Sequence, residues 1–86
     1  MATITLKDTT AVAGAFVYLS GTGFKSGETV NLVVKGQVAG HLPCNANGDF
    51  AGQMQVPRSL ATGATSCAAV GNTSGLTDDN AFTVSS

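Results

Sequence analysis

The side chains that could perform acid–base or nucleophilic chemistry are few in this 86-residue chain. His41 is the only histidine, and its neighbours Gly40 and Leu42 offer it neither a nucleophile nor a carboxylate. Nucleophilic catalysis needs a nucleophile, a base and a group that orients the base, and the sequence around His41 lacks such a set. The carboxylates all fall in segments typical of turns or strand ends: Asp8, Glu28, Asp49, Asp78 and Asp79. We therefore predict solvated carboxylates, a surface histidine, no enzymatic activity and no cofactor.

Two oxygen-rich segments contain some of the residues of a calcium site. Asn45, Asn47 and Asp49 alternate as in the opening of a calcium-binding loop, but Gly48 falls at the wrong position and no bidentate Glu follows. Residues 78–80 combine two Asp with an Asn before the last predicted strand. A turn explains the first segment and an exposed loop explains the second. Two cysteines and one histidine are also too few for a four-ligand zinc site, so we predict no metal.

The two cysteines, Cys44 and Cys67, occupy positions where a strand is expected to point inward. A disulfide between them would close a loop of about 24 residues and stabilise the fold by roughly 3.5 kcal/mol, if the geometry allowed it. The alternative is two buried free thiols that act as small hydrophobic side chains. A thin core favours the bridge, whereas the lack of an export signal argues against an oxidising compartment. Both states stay open at this point.

Two of the aromatic residues lie in one short segment whose alternation predicts a strand. If Val17 and Leu19 point into the core, then Phe16 and Tyr18 point outward on the same face. Val33, in a later segment, is also predicted to point outward. Exposed aromatic pairs mark protein contacts more often than other surface residues do. We therefore assign partner binding to Phe16, Tyr18 and Val33; the alternatives are a reversed strand phase or a terminal arm that covers the pair.

The elements that must position these residues have the pattern of short strands. The chain contains nine Val, eleven Thr and one Ile, and no window has apolar residues at helical spacing. Turn residues recur about every ten positions, which is typical of a sandwich or barrel. The predicted strands are residues 2–7, 12–20, 28–35, 37–44, 49–56, 64–70 and 80–85. They indicate an all-β, seven-stranded antiparallel sandwich in a single domain, residues 1–86.

Alternation within these segments also predicts the core. The residues expected to point inward are Ile4, Leu6, Val30, Leu32, Val34, Phe50, Met54, Val56, Phe82 and Val84. The pair Asn47-Gly48 tolerates positive φ and is expected to close a hairpin.

Three segments contain motifs of a known family. Residues 21–32 have the sequence GTGFKSGETVNL, which is similar to the GTGF-x-x-GE-x-V-x-L corner of the immunoglobulin-like repeats of bacterial and phage proteins. Residues 46–57 are similar to their ANG-x-F hairpin and VP strand end, and residues 69–84 to their closing segment. The resemblance covers about residues 14–84. It implies an immunoglobulin-like β-sandwich of the kind used as a spacer, a stalk, or an adhesive or decorating unit in surface and virion proteins.

Charge is scarce, with four Lys+Arg against five Asp+Glu, and 43% of the residues are hydrophobic. The chain therefore lacks the basic surplus that binds phosphate backbones, and it lacks the high net charge typical of disorder. No apolar run approaches the roughly 20 residues that span a bilayer. We predict other proteins as partners, and neither nucleic acid nor a membrane.

Residues 11–19 follow Lys7 and have the apolar character of a secretory signal, but Asp8 lies where that signal should be positive. We expect instead a complete domain with its own initiator Met1 and no export signal. This favours a structural module of the virion, such as a bacteriophage capsid decoration protein, that docks on capsid subunits and is able to self-associate. One alternative is a repeat of a bacterial cell-surface or adhesin protein, located outside the cell. Another is a sandwich that binds carbohydrate or a small ligand.

Overall fold

The computed structural model describes residues 2–85, which form eight β-strands. The strands are β1 Thr3–Leu6, β2 Thr10–Val12, β3 Phe16–Thr22, β4 Thr29–Val34, β5 Gln37–Pro43, β6 Phe50–Gln55, β7 Gly63–Gly71 and β8 Thr77–Ser85. The predicted all-β class is confirmed. Within residues 2–85, no helix has the length and apolar character needed to cross a membrane.

The strands form two sheets that share one core. The three-stranded sheet has the order β1-β3-β6, and the five-stranded sheet has the order β2-β8-β7-β4-β5. Neighbouring strands are antiparallel except β2 and β8, which run parallel with Thr10 beside Thr83. The fold is thus the predicted immunoglobulin-like sandwich, with eight strands and one parallel pair instead of seven strands that are all antiparallel.

The additional strand arises because the predicted segment 12–20 is interrupted. Gly14 has a φ of +88°, in the left-handed region that favours glycine, and it separates β2 from β3. The chain changes sheets at this break, since β2 pairs with β8 whereas β3 pairs with β1 and β6. The last strand is also longer than predicted, because its pairing with β7 extends back to Thr77.

The core consists of side chains from the inner faces of both sheets. The buried hydrophobic residues are Ala2, Ile4, Val17, Leu19, Phe24, Val30, Leu32, Val34, Cys44, Phe50, Met54, Val56, Leu60, Cys67, Ala69, Phe82 and Val84. All the residues predicted to point inward belong to this set except Leu6, which is half-buried and packs against it. Each fully buried Val, Leu or Phe contributes about 1.5–3 kcal/mol, so this set holds the two sheets together.

A turn forms at Asn47-Gly48 as predicted, but it does not close a hairpin. The Oδ1 atom of Asn45 accepts hydrogen bonds from the backbone N–H groups of Asn47 and Asp49, at 2.9 and 3.0 Å. Gly48 has a positive φ of 80°. The strands on either side, β5 and β6, belong to different sheets. The loop is therefore a crossing between the two sheets.

Candidate functional site

Phe16 and Tyr18 lie on β3, the central strand of the three-stranded sheet, and both side chains point to solvent. Their exposed fractions are 59% and 57%, whereas Val17 and Leu19 between and beside them are 1% and 4% exposed. The orientation predicted from alternation is therefore the observed one. The aromatic pair lies on the part of β3 that pairs with β6, while the pairing with β1 ends at Leu19 and is continued by one hydrogen bond, from the Lys7 N–H to the Tyr18 carbonyl oxygen at 2.9 Å.

Polar side chains border the aromatic pair on both neighbouring strands. Gln53 pairs with Tyr18 and Gln55 with Phe16 in the register of β3 and β6. On the other side, the Nζ atom of Lys7 lies 5.9 Å from the centre of the Tyr18 ring, in a cation–π arrangement. These five residues are called the aromatic face below. Strands β1, β3 and β6 contain no charged residue, so Lys7, immediately after β1, supplies the charge of this face.

A shallow depression of about 280 Å³ lies beside the Tyr18 ring. Its walls are formed by the side chains of Lys7, Thr5 and Ser20 together with Ala51 and the Tyr18 ring itself. The depression therefore combines one aromatic surface with two hydroxyl groups and one ammonium group.

Val33, the third residue predicted to bind a partner, lies on the opposite side of the molecule. It belongs to β4 in the five-stranded sheet, where it points outward and is half-buried. Alternation predicts which face of its own strand a residue occupies, but it does not tell which sheet the strand joins. The structure thus does not bring Val33 together with Phe16 and Tyr18.

Val33 is part of a second apolar surface, on the outside of the five-stranded sheet. In the strand register, Val33 pairs with Val38 on β5 and with Ala68 on β7, and Ala68 pairs with Asp79 on β8. Val38 is 66% exposed. These residues, together with Val70 two positions after Ala68, are called the aliphatic face below.

The residues weighed for catalysis and metal binding are dispersed or occupied by structural contacts. His41 is exposed on β5. Asp78 accepts a hydrogen bond from the backbone N–H of Ile4 at 2.8 Å, and the amide of Asn80 donates one to the Ile4 carbonyl oxygen at 2.8 Å. These two side chains therefore bind the edge of β1 much as another strand would. Among residues 2–85, no three His, Cys, Asp or Glu side chains are grouped so that they could hold a metal ion.

Cys44 and Cys67 are buried free thiols at opposite ends of β4. The backbone N–H of Cys44 donates to the backbone carbonyl oxygen of Glu28, just before β4, whereas Cys67 pairs with Val34 at the other end of that strand. At about 3.3 Å per residue, this separation is on the order of 20 Å, far beyond the reach of a disulfide. The Cys67 Sγ atom instead lies 3.6 Å from the sulfur of Met54. Of the two alternatives that the sequence leaves open, a disulfide or two free thiols, the structure therefore has the free thiols, and both act as small core side chains.

The prediction of a solvated carboxylate is wrong for Glu28. It was expected to be solvated, but only 5% of it is exposed, and it is the buried charged residue of the described chain. Its Oε1 atom accepts hydrogen bonds from the N–H groups of Thr73 and Ser74, both at 2.9 Å. Its Oε2 atom accepts from the N–H of Lys25 at 2.7 Å and from the hydroxyl of Ser74 at 2.8 Å. A carboxylate has enough lone pairs for all four donors, so burial leaves no polar atom unmatched.

Burial by itself raises the pKa of the Glu28 carboxyl, but hydrogen bonds from Ser74, Lys25 and Thr73 outweigh it and lower the pKa from 4.5 to about 2. A sequence signal for this residue exists, since Glu28 is in phase with the inward residues Val30 and Leu32. A charged residue in phase with a core-facing series predicts a buried, fully hydrogen-bonded carboxylate. The role of Glu28 is structural, because its four donors all come from loops of this chain.

Comparison with known proteins places this architecture in a family. The macroglobulin-like domain family matches residues 1–84. The solved structure of macromomycin is similar in fold, with a TM-score of 0.70 and 16% sequence identity; the match covers 99% of this chain and 100% of that chain. A likeness at this low identity shows the fold alone. A search of curated proteins found no match. The chain therefore belongs to the macroglobulin-like domain family and is an immunoglobulin-like β-sandwich.

Proposed function

We propose that this chain is a non-enzymatic interaction module that docks through its aromatic face onto other protein subunits. The observation that carries the proposal is the exposure of Phe16 and Tyr18 side by side on a sheet whose strands contain no charged residue. Within the family, we favour a virion accessory protein, such as a capsid decoration protein of a bacteriophage, over a repeat of a bacterial cell-surface protein.

The energetics of docking favour this face. Phe and Tyr side chains bury about 150–250 Å² each when fully covered, at about 25 cal/mol per Å² of apolar surface. Aromatic residues are enriched in the centres of protein interfaces, and charged residues are depleted there. Lys7 is the charged residue among those that define this face, and its ammonium group already lies near the Tyr18 ring. The amides of Gln53 and Gln55 also lose solvent when the face is covered, so a partner that hydrogen-bonds them retains most of the free energy gained by burying the two rings.

The backbone of the aromatic face is also preorganised. Val17 and Leu19 are buried in the core, the backbone at Phe16 and Tyr18 is paired with β6, and the Lys7 N–H donates to the Tyr18 carbonyl oxygen on the other side. Little conformational entropy is lost when such a surface is covered, which improves affinity at a given interface area.

The assignment to a virion is supported by the resemblance of residues 21–32, 46–57 and 69–84 to modules that decorate capsids and other surfaces. A virion location follows from this proposal, and a cell-surface location follows from its competitor. Immunolabelling distinguishes the two locations. Antibodies against the chain would label virus particles in the first case and the cell envelope in the second.

A rebinding experiment tests docking itself. Particles stripped of the chain are mixed with the purified wild-type chain, with the double variant Phe16→Ser/Tyr18→Ser, or with the control Leu76→Ser, which removes an exposed apolar side chain from a loop. We expect the wild type and the control to rebind and the double variant to lose at least about tenfold in affinity while keeping its far-UV circular dichroism spectrum. Equal rebinding of all three proteins would refute the proposal.

A carbohydrate-binding function is a second candidate, because a specific feature favours it. The depression beside Tyr18 pairs an aromatic ring with the hydroxyls of Thr5 and Ser20 and with the Lys7 ammonium group. Aromatic rings commonly accept the apolar side of a sugar, and hydroxyl and ammonium groups hydrogen-bond its oxygens. A glycan array with the wild type and Tyr18→Ala tests this function: Tyr18-dependent binding supports it, and uniform silence removes it.

A further inference from the structure

We infer that the aromatic face of one copy of this chain docks on the aliphatic face of a second copy. This inference rests on the proposed function, because it requires the aromatic face to be a protein-contact surface, and it identifies one of its partners. The two faces match in their shapes, their charges and their sizes.

The shapes of the two faces complement each other. Phe16 and Tyr18 project from the three-stranded sheet as two large side chains. The outside of the five-stranded sheet has a depression of about 380 Å³, lined by Ala68, Val70, Thr77, Asp78 and Asp79. Small and branched side chains thus leave a hollow on one side of the molecule, and bulky rings stand out on the other.

The charges nearest to the centres of the two faces are opposite. On the aromatic face this charge is Lys7, adjacent to Tyr18, and Arg58, whose side chain lies against Gly14, is a second cation near the Phe16 end. The five strands of the other sheet contain only Asp78 and Asp79 as formally charged residues. Asp78 is hydrogen-bonded to the backbone of Ile4, whereas Asp79 is exposed beside Ala68. Seating Tyr18 over Ala68 would therefore bring the Lys7 ammonium group near the Asp79 carboxylate.

The same charges disfavour the two symmetric arrangements. Two aromatic faces packed together would bring two Lys7 ammonium groups into one interface with no carboxylate among the residues of that face, and two aliphatic faces would bring in two Asp79 carboxylates with no cation among theirs. Like charges brought together at an interface oppose association. Only the head-to-tail arrangement pairs opposite charges, so the interface is heterologous.

The molecule is large enough for a contact of ordinary size. Its Cα extents are 38 × 19 × 18 Å, so the outline of one long side of the whole molecule is roughly 700 Å². A standard protein interface buries about 800 Å² on each partner. A heterologous contact leaves one aromatic and one aliphatic face free on the end copies, so assembly continues into a stack or closes into a ring.

Sedimentation of charge-reversal variants tests the arrangement. The variants are Lys7→Glu and Asp79→Lys, and the control is Lys25→Glu, which reverses an exposed charge in the corner between β3 and β4. Each reversal makes both faces of a copy carry the same sign. We expect the wild type and the control to assemble as concentration rises, and each reversal to raise the concentration needed by about tenfold or more.

An equimolar mixture of the two charge-reversal variants is the decisive test of the head-to-tail arrangement. The negative aromatic face of the Lys7→Glu variant then matches the positive aliphatic face of the Asp79→Lys variant. The two remaining faces carry the native charges and match as in the wild type. The mixture should therefore assemble at the wild-type concentration. Wild-type monomers up to about 1 mM, unaffected single variants, or a mixture that stays dissociated would each overturn the inference.

The failure of this inference is distinguishable from that of the proposed function. If the wild type is monomeric but rebinds to stripped particles through Phe16 and Tyr18, the self-association is wrong and the docking function stands. If neither assembly nor rebinding depends on Phe16 and Tyr18, both are wrong.

Discussion

Ser74 donates two hydrogen bonds to the Glu28 carboxylate, one from its backbone N–H at 2.9 Å and one from its hydroxyl at 2.8 Å. The two residues are 46 positions apart, and they join the corner before β4 to the loop between β7 and β8. This contact fixes one end of the five-stranded sheet with a buried carboxylate. It therefore helps to keep the five-stranded sheet, and with it the aliphatic face, in position.

Replacing Glu28 with Gln should destabilise the fold. The amide keeps one oxygen but exchanges the other for an N–H₂ group. Two of the four hydrogen-bond donors to this buried side chain therefore lose their acceptor. We expect the thermal midpoint to fall by on the order of 10 °C, measured by circular dichroism. Asp8→Asn, which neutralises an exposed carboxylate, is the matched control and should shift the midpoint by no more than about 3 °C. Equal midpoints for Glu28→Gln and the wild type would contradict the role given to Glu28.

The same carboxylate predicts how stability depends on pH. Its pKa is about 2 in the folded chain against 4.5 for an ordinary Glu, so the unfolded chain binds the proton more tightly. The stabilisation by Glu28 is then fully present above pH 4.5 and is lost as the pH falls from 4.5 towards 2. Urea unfolding of the wild type across this range should show a falling free energy of unfolding. The Glu28→Gln variant should show a shallower fall, and parallel curves for the two proteins would count against the low pKa.

Gly71 should not accept a side chain, because the Glu28 carboxylate occupies the space beside it. A Cβ atom at Gly71 would lie 2.6 Å from the Glu28 Oε2 atom, whereas one at Gly40, also in a strand, would meet its nearest neighbour at an ordinary 3.8 Å. We expect Gly71→Ala to cost about 1–3 kcal/mol in urea unfolding and Gly40→Ala to cost far less.

A double variant separates this steric effect from a general one. Because Gln fills nearly the same space as Glu, the double variant uses Glu28→Ala, which removes the carboxylate that a Cβ atom at Gly71 would meet. Gly71→Ala should then cost clearly less in the Glu28→Ala background than in the wild type, and the cost that remains comes from the Ser74 hydroxyl oxygen, also 2.6 Å from that Cβ position. Additive costs would show that the two residues act independently.

The two thiols should resist modification in the folded protein. Burial raises the pKa of Cys67 to about 11, and burial with the nearby negative charges of Glu28 and Asp49 also raises the pKa of Cys44. The thiolate is the reactive form, so iodoacetamide at about pH 8 should label neither cysteine quickly under native conditions and both after denaturation. Mass spectrometry reports the labels. Rapid native labelling, or an intact mass lower by two hydrogens, would contradict buried free thiols.

The sequence predicted the fold class and much of the core because strand alternation is a local property. Val30, Leu32 and Val34 point inward, and Phe16 and Tyr18 point outward, as their spacing requires. A residue's face on its own strand follows from two or three neighbours on either side. The core and the outward orientation of Phe16 and Tyr18 could therefore be predicted without knowledge of the sheet order, whereas Gln53, Gln55 and Lys7 join the aromatic face through contacts with other segments.

What the sequence did not reveal depends on contacts between distant segments. The break at Gly14 matters because β2 pairs with a strand about 70 positions later, and Val33 lies away from Phe16 because β4 joins the other sheet. Glu28 is buried because its donors Thr73 and Ser74 return to it from the far end of the chain. Local periodicity contains no information on such partners.

Photo-crosslinking from position 18 tests most directly whether the aromatic face is covered by another protein. A photoreactive phenylalanine analogue replaces Tyr18 in one protein and Asn47, an exposed residue in the loop between β5 and β6, in the control. Both are assembled into the native particle or complex and irradiated. We predict a covalent protein adduct from position 18 and little or none from position 47. No adduct from position 18, or equal yields from both positions, would contradict the docking function.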